Sequence, residues 1–235
     1  MPVRSDDRLD NSSWEKRYLK ALFLLQLENG PVEMTELARE VGESSIEVGV
    51  ALSRLMDMCC VVKTLEAPIT VPDEGRSSVG PRERFTLSEE GRGKLLVVMT
   101  GGVFDILHVG HLSSFEEGRG LGDLLIVVIA RDSTVQRLKH RTPINNESQR
   151  MRLVNALSVV DLAVLGDEDN FLNSVEKIDP DIIAVGYDQA HNTNKLKEDL
   201  RLRGLKARVI RLESHIPGIK SSKILSRIQD ANSLN

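Results

Sequence analysis

Residues 95–111 read LLVVMTGGVFDILHVGH. The apolar run LLVVMT (95–100) suits a strand buried on both faces, and it ends in the pair Gly101–Gly102. Without side chains, that pair lets the backbone approach a phosphate and adopt dihedrals closed to other residues. His108, Val109, Gly110 and His111 then enter a helix, whose first N–H groups and partial positive charge favour a triphosphate. Residues three apart share one helical face, so both imidazoles can point at one bound group, and Gly110 removes a side chain that would crowd it. Three explanations compete for the two histidines: a metal pair, a purely structural origin, or a phosphate site.

The chain that follows favours the phosphate site. LLIVVIA (124–130), LAVLG (162–166), DIIAVG (181–186) and ARVIRL (207–212) are further short runs rich in Val, Ile and Leu. Helical segments separate them: HLSSFEEGRGLG, STVQRLKH, ESQRMRLVNALS, NFLNSVEKI and KLKEDLRLRG. This alternation over residues 95–235 predicts an α/β, Rossmann-like domain with a doubly wound parallel sheet. In such sheets ligands sit at the carboxyl ends of the strands, where the HVGH stretch lies. A metal site needs a third and fourth ligand. Asp105 is close in sequence, but no second His pair or carboxylate cluster stands at ligand spacing, so no metal-ligating residue is assigned. Fixed donors such as two imidazoles stabilise a phosphoryl-transfer transition state without forming a covalent bond.

Residues 1–94 have a different character. They hold 13 Lys/Arg and 17 Asp/Glu, whereas residues 95–235 hold 18 of each and all five histidines. WEKRYLKALFLLQL (14–27), MTELAREVG (34–42, Thr35 at its start and Gly42 at its end) and SSIEVGVALSRLMDM (44–58) predict three helices. CVVKTLEA and RERFTLS predict strands on either side of PDEGRSSVGPR, and EEGRGKLL closes the unit. Three helices followed by a two-stranded wing resemble a small winged helix-turn-helix domain. DNA is the less favoured partner: the third helix offers Arg54 against Glu43, Glu47 and Asp57, within a net acidic domain. Dimerisation or regulation fits better, with a homodimer as the corresponding assembly.

Composition sets the outer bounds. With 40% hydrophobic and 28% charged residues, the 235-residue chain is ordinary for a soluble protein. Its longest apolar runs are too short to span a bilayer, and MPVRSDDRLDN lacks the apolar core of a secretory signal, which predicts a cytoplasmic protein without a membrane partner. Aromatics at 3% argue against a base-stacking surface for single strands. Adjacent Cys59 and Cys60 are read as buried thiols rather than a bridge or zinc ligands.

GGVFDILHVGH resembles the signature of the HxGH nucleotidyltransferase superfamily, in its cytidylyltransferase-like branch. LGDLLIVVIARDSTV (121–135), LKHRTPI (138–144), ESQR (147–150), DPDIIAVGYDQ (179–189) and LKEDLRLRGLKARVIRL (196–212) are similar to archaeal-type FAD synthases. That resemblance implies adenylyl transfer from ATP to FMN, giving FAD and pyrophosphate, with a divalent cation, Mg2+ being the expected one. It implies nucleotide contacts at Gly102, at Val103 and Phe104 through the backbone, and along His108, Val109, Gly110 and His111. It also implies a basic loop at Lys139 and Arg141, with Lys139 counted beside His108 and His111 among the catalytic residues. Asp188 would meet the sugar or base, and Ser221 and Ser222, at the entrance of the last helix, the β- and γ-phosphates. This chain departs from the pattern at Val103, where the family often has Thr, in the Ser-Ser-Lys that lacks a related Thr, and in its extra N-terminal domain. Two alternatives stand beside this reading. One is a CTP-dependent cytidylyltransferase acting on glycerol 3-phosphate or a similar alcohol; the other is a flavin- or nucleotide-responsive DNA-binding regulator.

Overall fold

A computed structural model describes residues 11–67, 81–187, 193–214, 216 and 219–232. The chain divides between Leu95 and Leu96 into two compact units.

The first unit opens with helices α1 (Asn11–Asn29), α2 (Met34–Val41) and α3 (Ser45–Asp57). Leu19 and Leu22 of α1, Leu37 of α2 and Val48, Leu52 and Leu55 of α3 are fully buried, the helical spacing giving each helix one apolar face. Ser44 opens α3 through a capping box with Glu47. The start of α2 differs from expectation: Glu33 caps it in a capping box with Glu36, which leaves Thr35 inside the first turn, while Gly42 ends it in the left-handed region (φ 71°). Strands β1 (Val61–Glu66) and β2 (Arg82–Leu87) pair antiparallel, and an isolated bridge joins Val32 to Phe85. Helix α4 (Glu89–Gly93) follows. The two thiols part company, correcting the expectation for the first of them: Cys60 is buried, but Cys59 is exposed, because its positive φ of 57° turns its side chain out at the end of α3.

The second unit carries one sheet of five parallel strands: β3 (Val97–Gly102), β4 (Leu124–Ile129), β5 (Leu162–Leu165), β6 (Ile182–Val185) and β7 (Arg208–Arg211). Helices α5 (Val109–Arg119), α6 (Asp132–Lys139), α7 (Glu147–Asn155), α8 (Phe171–Ile178), α9 (Thr193–Leu202) and α10 (Ser221–Asn232) connect and follow them. Spatial order is β5-β4-β3-β6-β7, so the chain winds outward from β3 first to one side and then to the other. The reversal of direction falls at β3 and β6, where doubly wound sheets open a crevice at their carboxyl ends. Every residue of β4 and β6 is buried, as expected of central parallel strands, while edge strand β7 shows Arg208 and Arg211 to solvent.

A repeated device sets the register at the opposite edge. Asp123, Asp161 and Asp181 each stand immediately before an apolar run. Their carboxylates accept from the backbone N–H of Leu96 (3.0 Å), Leu125 (2.7 Å) and Val97 (2.7 Å) respectively, at the starts of neighbouring strands. Each carboxylate thereby satisfies an amide that the ladder leaves unpaired. No helix among the described residues is long and apolar enough to cross a membrane.

Candidate active site

The site grows from the end of β3. Phe104 has a positive φ of 52°, which folds its ring back over Gly102. A Cβ on Gly102 would stand 2.7 Å from Phe104 Cζ, so the space that this glycine vacates is filled by that ring. Phe104 is buried, packing edge-on against His111 (5.3 Å between centroids) and tilted against Phe115 (5.1 Å). Gly110 works in a similar way: a Cβ there would lie 3.1 Å from His108 Nδ1, so its absence makes room for the His108 ring.

His108 is the N-cap of α5, in extended backbone geometry, with its carbonyl accepting from the N–H of His111 (2.9 Å) and Leu112 (3.3 Å). The His108 side chain makes no capping bond to this helix start, whose first amides lie at the positive end of the α5 dipole. The His108 and His111 rings stack at 3.8 Å, nearly parallel at 17°, with both Nδ1 atoms buried. Edge contact with Phe104 on one side and stacking on the other fix the orientation of both imidazoles.

Two charged groups fasten the neighbouring loops to this corner. Asp105, 3% exposed, accepts from Arg141 Nη1 (3.0 Å) and from the N–H groups of Ile144 (2.9 Å) and Asn145 (2.9 Å), and its own carbonyl accepts from Asn145 Nδ2 (2.8 Å). Burial pushes the Asp105 carboxyl up, but the Asn145 and Ile144 amides and the Arg141 guanidinium outweigh it and hold the group below the ordinary carboxylate range. Arg150, with no exposed surface, donates to the carbonyls of Val103 (2.6 Å), Ala130 (2.8 Å) and Asn145 (3.0 Å) and to Asp132 Oδ1 (2.6 Å). It sits one turn into α7, which Asn146 and Gln149 open with a capping box.

The expected site residues therefore gather in large part. Gly102, Val103, Phe104, His108, Val109, Gly110 and His111 form the corner, with the Val103 carbonyl held by Arg150. Arg141 is brought to it through Asp105, and its half-exposed guanidinium keeps further N–H groups for a ligand. Ser221 begins α10 and donates to the Ile106 carbonyl (3.2 Å), which seats that helix start on the same loop, with Ser222 next in the helix. Glu117 of α5 reinforces the arrangement by accepting from the N–H groups of Glu213 (2.8 Å) and Ser214 (2.7 Å). Lys139 is exposed in the last turn of α6, two residues before Arg141. Asp188 lies outside the described residues. Sequence reasoning missed Arg150 and the true work of Asp105, weighed only as a metal ligand. Among the described residues no group of three His, Cys, Asp or Glu side chains converges as a metal cage.

The profile of the cytidylyltransferase-like family matches residues 99–227. The chain is 48% identical over 139 residues to the FAD synthase of Aciduliprofundum boonei, covering 57% of this chain and 93% of that protein. It is 46% identical over 134 residues to the FAD synthase of Ferroglobus placidus (56% and 86% covered) and 44% identical over 142 residues to that of Thermococcus kodakarensis (59% and 95%). Among solved structures, the lipopolysaccharide core biosynthesis protein from Thermoplasma volcanium is similar at 40% identity and a TM-score of 0.50, covering 52% of this chain and 99% of that one.

Two outcomes are expected from these ties. Arg150→Met removes one charge and strands Asp132 and three carbonyls, so denaturant unfolding should show a loss of about 3–5 kcal/mol, the scale of a broken buried pair. The Asp105 carboxyl, being depressed in the folded state, contributes stability that is fully present above the unfolded value of about 3.9 and lost as pH falls through the lower folded value. Unfolding of wild type and Asp105→Asn across pH 7 to pH 2 should therefore show a gap favouring wild type at neutral pH that narrows below about pH 4.

Proposed function

The chain belongs to the cytidylyltransferase-like family, and from that premise we propose that it transfers the adenylyl group of ATP to FMN, giving FAD and pyrophosphate. The observation that carries this reading is the HxGH corner, a stacked histidine pair at the start of α5. The likeness to FAD synthases over nearly their whole length selects ATP and FMN over CTP and a phosphorylated alcohol.

In this reaction an oxygen of the FMN phosphate attacks the α-phosphorus of ATP. The bond between that phosphorus and the bridging oxygen breaks, and pyrophosphate leaves with the electron pair. Charge accumulates on the α-phosphate oxygens and then on the leaving group. His108 and His111, held in place by Phe104 and by one another, donate to the α-phosphate oxygens. The first amides of α5 share that load, and the start of α10 with Ser221 and Ser222 receives the β- and γ-phosphates. Lys139, at the exposed end of α6, and Arg141 neutralise the departing pyrophosphate. Arg141 can do so without leaving Asp105, because a guanidinium has five N–H donors. Asp188 takes the sugar or base beyond β6. A divalent cation, Mg2+ being the expected one, would shield the charge of the triphosphate.

We do not assign the N-terminal unit to DNA. Several of its cations are engaged internally: Arg84 with Glu33 and Glu66 (3.2 Å each), Lys63 with Glu83 (2.9 Å), and Arg54 over the Trp14 ring (5.4 Å). The exposed side of α3 mixes Ile46 and Val50 with Glu47, Arg54 and Asp57, a single cation among acidic and apolar groups.

With magnesium, ATP and FMN, the purified chain should release pyrophosphate and form a product with the mass of FAD. His111→Ala should lower turnover by about 100-fold or more, the scale of a lost transition-state donor, and near-normal turnover would exclude the role assigned to that imidazole. Anisotropy of labelled duplex DNA should stay flat at low salt, with or without FAD; a salt-dependent rise would restore the regulator reading.

A further inference from the structure

The chain has eight aromatic residues, four of them beyond residue 95: Phe104, Phe115, Phe171 and Tyr187. Phe104 and Phe115 are buried against each other, whereas Phe171 and Tyr187 are 37% and 52% exposed. Both exposed rings belong to segments that follow the carboxyl ends of strands. Tyr187 comes two residues after β6, beside Asp188, and Phe171 is the first residue of α8, after β5. An aromatic face open at that edge of an aromatic-poor domain is a surface on which a planar ligand can stack.

The position of Phe171 follows from the two glycines. Successive Cβ directions on a strand point to opposite faces of the sheet. A Cβ on Gly102 would meet Phe104, and a Cβ on Gly101 would meet Phe171 Cε2 at 3.4 Å. The two rings therefore flank the end of β3 from opposite faces, Phe104 backing His111 on one and Phe171 half-open on the other. The loop that carries Phe171 is stiff. Asp167 Oδ1 accepts from the N–H groups of Asp169 (3.0 Å) and Asn170 (2.9 Å), Asn170 caps the N–H of Leu172 (2.9 Å), and buried Ser174 Oγ accepts from the N–H of Asp167 (2.8 Å). Phe171 is thus presented in one place rather than swung out as a loose side chain.

Displacement at phosphorus is in line, so the attacking phosphate approaches from the side opposite the departing pyrophosphate. In the roles proposed above the triphosphate tail goes to the starts of α5 and α10, and α5 packs on the Phe104 face of β3. The acceptor then comes from the opposite face, the one Gly101 presents. Phe171 stands there. We propose that the Phe171 ring is the platform on which the isoalloxazine of FMN stacks, so that this residue sets specificity for a flavin acceptor. The assignment rests on the FMN adenylyltransferase reading given above.

Steady-state kinetics of FAD formation by the full chain, with ATP and FMN varied separately, test it. Phe171→Ala and Phe171→Leu should each raise KM for FMN about tenfold, in the range of lost aromatic stacking, while KM for ATP stays within about twofold. The leucine variant keeps an apolar cover over Gly101 without a π face, so it separates stacking from folding, and thermal unfolding checks that both variants are intact. Phe171→Tyr should keep KM for FMN near wild type. An unchanged KM for FMN in folded Phe171→Ala overturns the assignment and leaves the reaction standing. A raised KM for ATP instead also overturns it, because the ring then serves adenine. A wild-type chain that makes no FAD overturns the reaction itself, and the platform with it.

Discussion

A guanidinium with no exposed surface is the constraint on which the rest of this site depends. Arg150 reaches four acceptors that belong to three separate stretches: Val103 after β3, Ala130 and Asp132 after β4, and Asn145 before α7. Its planar fork fixes directions as well as distances, so the three stretches cannot move independently while it is satisfied. Asp132 balances the buried charge, and the carbonyl dipoles complete its shell, the condition under which such burial is tolerated. Asp105 makes the second tie, fastening the loop of Arg141 to the corner that carries the histidines. The histidine pair is thus oriented by apolar and ring contacts, while its surroundings are oriented by two buried ions of opposite sign.

Much of this was legible in the chain, for identifiable reasons. The strands of the second unit announce themselves because a parallel sheet covered on both faces demands unbroken Val, Ile and Leu, and LLIVVI is buried throughout. The HVGH stretch is legible because histidine is scarce, five in the chain, and the spacing of the pair has geometric meaning at a helix start. What stayed hidden depends on contacts far apart in sequence. Arg150 lay inside a motif that was noticed, but no local pattern tells an arginine that is wholly enclosed from one in water; only the convergence of loops separated by 18–47 residues does so. Gly102 and Gly110 suggest room for a ligand by type and place alone, whereas each leaves room first for a neighbouring ring. The start of α2 is not legible in this way: Thr35 is a good cap by composition, yet Glu33, paired reciprocally with Glu36, takes that place.

The first unit poses a contrast of surfaces. Its helices close on a core of Leu19, Leu22, Leu37, Leu52 and Leu55, while much of its charge is spent within the unit. Among the apolar side chains it leaves in water, Ile46 and Val50 lie one turn apart on α3. Such a face is chemically unlike a phosphate-binding one, whatever the order of helices and strands that displays it.

The three aspartates at the amino ends of the strands have a consequence for how such a domain can change. Asp123, Asp161 and Asp181 lock neighbouring strands from beneath, at the edge away from the histidines. Alignment of the sheet is thereby anchored at one rim, and recognition is displayed at the other. Loops on the display rim can accumulate substitutions without loosening the anchors, so a lineage built on this scaffold can trade one acceptor for another while its foundation goes untouched.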